Sequence, residues 1–104
     1  MRGTEKQIAW AEEIQKIVID TLTEMHDFFI NDQQYDGNNP VHIQRALSFL
    51  NNIEAIKNEE YAGDIIEMFS RVADKKDKSA MERWKCFISC LAVTGNSHKN
   101  KYER

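Results

Sequence analysis

Two cysteines, three histidines and a short acidic loop are the residues here whose types and spacing could do chemistry. Cys86 and Cys90 stand four apart, so a helix would set both thiols on one face, with His98 as a third zinc ligand. A fourth ligand is missing, and a single helical turn is not the knuckle that structural zinc sites use. With Phe87, Ile88 and Leu91 around them, the pair reads as buried structural thiols. Asp32, Gln34, Asp36 and Gly37 mimic the first half of a calcium loop, but the twelfth position, where such loops need a bidentate Glu, is Ile43. His26 sits beside Asp27, and His42 follows Pro40 and Val41. No Glu is followed three residues later by His, as di-metal carboxylate bundles require. Nothing pairs either His with a nucleophile. A phosphate-binding loop, a dinucleotide turn and a nucleophile elbow are all missing, and the four glycines lie far apart. These residues predict no catalytic site, no metal and no cofactor, hence a non-enzymatic protein.

Charge offers more. The net value of −3 hides an asymmetry, because residues 1–70 carry −8 and residues 71–104 carry +5. Glu13, Asp20, Glu24 and Asp27 follow steps of seven, four and three, which places them on one stripe of a helix. Glu54, Glu59, Glu60, Asp64 and Glu67 add acidity in mid-chain. Such a stripe could engage a basic groove on a protein, including one that normally holds nucleic acid. Arg71, Lys75, Lys76, Lys78, Arg83 and Lys85 gather further on, with Trp84 among them, and would be the phosphate contacts of a nucleic-acid binder. Trp84 shares an apolar stripe with Phe87 and Leu91, which predicts a core position for it instead. A chain so dipolar can also attract a second copy of itself.

The elements that must position these groups are helical. With 104 residues, 41% of them hydrophobic, the chain holds one domain with a modest core. Thr4 and Gln7 form a capping-box pattern, and Ala11, Ile14, Val18, Leu22, Met25 and Phe29 then recur at steps of three and four. Trp10, Ile17 and Phe28 widen this stripe on one side, and Ile8, Ile19 and Ile30 on the other. A helix over 4–30 follows, apolar enough to touch more than one neighbour or a partner chain. The polar stretch 31–39 predicts a loop, and Asn39-Pro40 a restart. Ile43, Ala46, Leu47, Leu50 and Ile53 continue at helical spacing to a break near Lys57-Asn58. A third helix carries Tyr61, Ile65, Met68, Phe69 and Val72. After a turn at 74–78, Ser79 and Glu82 open a fourth, which Gly95 ends. The fold class is all-α: a four-helix bundle-like domain over 1–95, with a long N-terminal helix and a flexible polar tail at 96–104. No apolar run suits a membrane span or a signal peptide, and two cysteines make no disulfide scaffold, so a reduced, cytoplasmic setting is expected.

Gly3-Thr4-Glu5-Lys6-Gln7-Ile8-Ala9-Trp10-Ala11-Glu12 resembles the opening of a loose group of small proteins from bacteria, phages and integrating elements. Their pattern is Gly, Ser or Thr, any residue, Lys-Gln-Ile, any residue, Trp-Ala. Ala46-Leu47-Ser48-Phe49-Leu50-Asn51-Asn52 looks like a degraded version of the group's second segment. The resemblance covers a tenth of the chain and implies a mobile-element setting rather than an activity.

The resulting expectation is a protein-binding module, concretely a phage or mobile-element inhibitor of a bacterial defence nuclease, as anti-CRISPR proteins are. Its binding residues would be Glu13, Asp20, Glu24 and Asp27. The alternative is a nucleic-acid-binding accessory or regulator that uses Arg71, Lys75, Lys76, Lys78, Arg83 and Lys85. A homodimer paired through long helices is a third form the partnership could take.

Overall fold

The computed structural model describes residues 1–94 and Tyr102. They form α1 (Glu5–Ile30), α2 (Pro40–Lys57), α3 (Ala62–Ala73) and α4 (Ala80–Thr94), an all-α bundle-like arrangement. Among the described residues there is no strand, only a one-residue bridge between Arg2 and Tyr61. No described helix is long and apolar enough to cross a membrane.

Three of the four helices start where a nearby side chain supplies a partner for the free N–H groups of the first turn. Thr4 accepts from the Gln7 N–H while the Gln7 side chain accepts from the Thr4 N–H, completing the capping box of α1. Asn39 accepts from the Val41 N–H, with Pro40 in the first turn of α2. At α4, Ser79 accepts from the Glu82 N–H. The start of α3 has no side-chain cap in this sense. Instead, the Ala62 N–H donates to the Arg2 carbonyl, so the chain's first residues hold the entry to α3. Gly3 makes this approach with φ +152°, a conformation L side chains rarely adopt, and its Cα faces Ala62 closely.

The long first helix is the centre of the molecule. It packs against α2, α3 and α4, and α3 packs on α4. Ala11, Ile14, Val18, Leu22 and Met25 are buried along it, as their spacing predicts. Thr21 falls on the same stripe and tolerates full burial because its hydroxyl donates to the Ile17 carbonyl. Opposite lie Ile65, Met68, Phe69 and Val72 of α3 and Phe87, Cys90 and Leu91 of α4, with the rings of Phe69 and Phe87 stacked 5.3 Å apart. Gln15 reaches from α1 to the last carbonyls of α2, donating to Ile56 at 2.8 Å.

Two expectations change. Trp10 and Phe28 do not widen the buried stripe, since half of the Trp10 surface faces solvent and Phe28 is more exposed still, at 66%. The expected Gly95 cap and most of the 96–104 tail lie outside the described residues. At Tyr102, however, a free polar tail is not what is found: its ring is fully buried, edge-on to Phe69 at 5.0 Å.

Candidate partner-binding surface

The acidic residues divide by what already engages them. Glu13, Asp20, Glu24 and Asp27 all lie on the exposed side of α1, as the stripe requires. Three of them have partners within the chain: Asp20 with Lys16 at 3.2 Å, Asp27 with His26 at 3.1 Å and Glu24 with Arg83 at 2.6 Å. All three carboxylates keep more than half of their side-chain surface in solvent. The Lys16–Asp20 pair is exposed on both sides and so holds weakly, whereas His26 and Arg83 are themselves largely covered. Glu59 differs from the rest of the mid-chain acids. One of its oxygens accepts the N–H groups of Glu60 and Tyr61, and the other accepts the Tyr102 hydroxyl. It ties the α2–α3 connection to the chain's far end.

The basic set divides in the same way. Lys75, Lys76, Lys78 and Lys85 are exposed around the α3–α4 turn. Arg83, by contrast, lies with its side chain 13% exposed across α1, donating to the Thr21 hydroxyl at 3.0 Å and to Glu24. Its Nε is buried without a hydrogen-bond partner. Arg71 is exposed but leans on the Cys90 sulfur at 3.8 Å. Of the six, the two arginines thus bind elements of the fold together.

The sequence's other candidates become structural. Burial pushes the Cys90 thiol up from its usual range, with Cys86 beside it adding to the effect and Arg71 opposing it, so the thiol stays protonated. Neither cysteine is part of a disulfide among the described residues. Asp32 and Asp36 spend carboxylate oxygens on the N–H groups of Gln34 and Asn38, two local turns that shape the loop. His42 Nδ1 accepts the Asp36 N–H at 2.9 Å and the ring stacks on Tyr35. Among the described residues, no group of three or more His, Cys, Asp or Glu side chains is placed to hold a metal ion.

Sequence reasoning missed an open groove of about 1040 Å³. Its floor is the end of α1, at Met25 and Phe29. One wall is α2, presenting Val41, Arg45, Ser48 and Phe49, and the other is α4, presenting Met81, Trp84 and Ile88. The walls meet where Phe49 and Trp84 approach to 6.1 Å. Phe29 is the hinge of the aromatic cluster, with Tyr35 edge-on at 5.3 Å and the Arg45 guanidinium 5.9 Å from its ring centre. Phe28, Val41, Met81 and Ile88 stand at the groove substantially exposed. A smaller depression continues past Phe28 between Glu24, Asp27 and Asp32. The groove therefore borders the acidic stripe at Phe28. The signal for it was in the sequence, since Phe28 and Val41 exceed what one core needs, but helical periodicity alone could not say which apolar residues would be left outside.

No protein-family description matches this chain, and no curated protein or solved structure matches it either.

Proposed function

We propose that this protein is a non-enzymatic, protein-binding module whose groove between α2 and α4 receives a helix of a partner protein. The supporting observation is the groove itself: α1 forms a floor and α2 and α4 two walls, the three sides of a bundle position that a further helix would fill. A partner helix would place apolar side chains against Phe28, Val41, Met81 and Ile88 and basic ones towards Asp27 and Glu24. Asp20 and Glu13 extend the same acidic surface along α1. Within that reading, the mobile-element setting implied by Gly3–Glu12 supports the narrower role of a cytoplasmic inhibitor of a bacterial defence nuclease.

The test is affinity capture from nuclease-treated bacterial lysate, comparing the native chain with two variants checked for unchanged helicity. One is Phe28→Lys. The other reverses Glu13, Asp20 and Asp27 to Lys, sparing Glu24 because a lysine there would face Arg83. A protein retained by the native chain and lost with either variant supports the reading. Capture indifferent to both variants removes this surface from it. The alternative, nucleic-acid binding, draws on the exposed Lys75, Lys76 and Lys78 of the α3–α4 turn and on Lys85 of α4. It requires capture that disappears on nuclease treatment and a direct affinity for DNA or RNA that falls steeply with salt.

A further inference from the structure

The outward side of α2, away from the groove, carries a second apolar feature. Ile43, Leu47 and Leu50 do not line the groove, yet they are 38%, 45% and 45% exposed. Their steps of four and three make one straight seam, the a/d spacing by which helices pair. No part of the described fold covers it, because α2 rests on α1 and reaches α4 through Phe49 and Trp84, on its other sides. From Pro40 to Ile53 the sole charged side chain is Arg45, in a protein with 30% charged residues, and Arg45 points to the groove. A helix that is apolar on several sides is ordinarily a buried one.

We infer that this seam pairs with the same seam of a second copy, two α2 helices packing antiparallel about a twofold axis near Leu47. Charge selects both the occupant and the direction. The positions flanking the seam are Gln44, Ala46, Asn51 and Ile53, so two copies with the same net charge meet here without like charges opposed. Glu54 is the next residue on the seam. Parallel helices would set the two Glu54 side chains against each other. Antiparallel helices set Leu47 against Leu47 and Ile43 against Leu50, and move each Glu54 to the opposite end. The helix dipoles then also oppose.

Size fixes the strength. An 18-residue helix is about 27 Å long and 10 Å wide, a footprint on the order of 300 Å². That is well below the ~800 Å² per partner of a tight complex, so the dimer is a weak one that forms only at high protein concentration. It leaves the groove open, because none of Ile43, Leu47 and Leu50 lines it and only Gln44 of the flanking positions does.

Sedimentation velocity from about 5 to about 500 µM at moderate salt tests this. The native chain should move from 12.2 kDa towards twice that mass, and so should Phe28→Lys. The double variant Leu47→Glu/Leu50→Glu, or Leu47→Ser/Leu50→Ser should the charged version lose helicity, should remain at the monomer mass. In a Cys86→Ser background under oxidising conditions, Ile43→Cys mixed with Leu50→Cys should give a disulfide-linked pair that neither gives alone. A native chain monomeric throughout, or seam variants that associate as the native chain does, overturns the inference. Cross-linking of Ile43→Cys with itself overturns the antiparallel arrangement.

Discussion

Replacing Tyr102 tests whether the far end of the chain belongs to the core. Its ring is fully buried against Phe69, which is itself stacked on Phe87, and its hydroxyl donates to Glu59. Tyr102→Ala removes the ring and leaves a cavity, which for a buried aromatic costs about 3–5 kcal/mol. Tyr102→Phe keeps the ring and deletes only the hydroxyl. A hydrogen bond to a carboxylate contributes about 1.5–3 kcal/mol. Glu59 is half-buried and keeps two backbone N–H donors, so water can replace part of the loss and about 1–2 kcal/mol is expected. For a chain of this length each kcal/mol lowers the melting temperature by about 4 °C or more. Tyr102→Ala should therefore fall by at least ~12 °C and Tyr102→Phe by ~4–8 °C, with urea titration giving the free energies.

The same bond predicts a pH dependence. Burial first, then the bond to Glu59 and the carboxylate charges of Glu59 and Asp64, raise the Tyr102 phenol well above its usual value. In the unfolded chain it titrates near pH 10. The folded state thus holds a proton that the unfolded state releases above about pH 10. The stabilisation is complete below that pH and is lost as pH rises beyond it, at about 1.4 kcal/mol per unit. Tyr102→Phe lacks this component, so its stability should decline less steeply than the native chain's above pH 10. A loss of under ~1 kcal/mol in Tyr102→Ala, or parallel alkaline curves for the native chain and Tyr102→Phe, would refute the packing of Tyr102 against Phe69 and Glu59.

Two further substitutions probe how the elements are joined. Gly3→Ala places a Cβ 3.1 Å from the Ala62 Cβ at a φ that alanine resists, and should cost about 1–3 kcal/mol in urea unfolding. Gly37→Ala, whose Cβ would meet nothing within 4 Å, should by comparison be neutral or slightly stabilising. Arg83→Met keeps the aliphatic stem over α1 while removing an ion pair with an exposed partner and a buried Nε that has none. It also removes the bond to Thr21, whose hydroxyl keeps its own bond to Ile17, so it should change stability by less than about 1 kcal/mol, and a loss above ~2 kcal/mol would show that Arg83's bonds to Glu24 and Thr21 hold α4 in place.

Helix positions were legible because their punctuation is local. Thr4 with Gln7, Asn39 with Pro40, and Ser79 before Glu82 each act within one turn, and the Ala11-to-Met25 spacing names its own buried face. What could not be read depends on partners distant in sequence. Glu59 looked like one more surface acid until Tyr102, 43 residues away, reached it. Arg83 looked like a free cation until α4 laid it on Thr21, 62 residues earlier. The start of α3 lacks a side-chain cap of its own because Arg2 and Gly3 come back to it. Of the acidic stripe, the sequence gives the face but not the ion pairs, since only Lys16 and His26 are near in the chain.

The most informative misfit is α2. Its apolar residues sit on every side, so periodicity identifies a helix without identifying a core face. A core decides only part of that choice. Ala46, Phe49 and Ile56 are the buried ones, while Val41 goes to the groove and Ile43, Leu47 and Leu50 to the outward seam. Stability within the monomer explains none of the exposed four, and keeping them uncharged has a cost in solubility. Association, as proposed for the groove and for the seam, would give such a helix the neighbours that the described fold does not supply. Its two exposed faces differ in chemistry, one bordered by acids and lined with aromatics, the other uncharged and self-matching. Under the two proposals they would take different occupants, and the Phe28 and Leu47/Leu50 variants separate them.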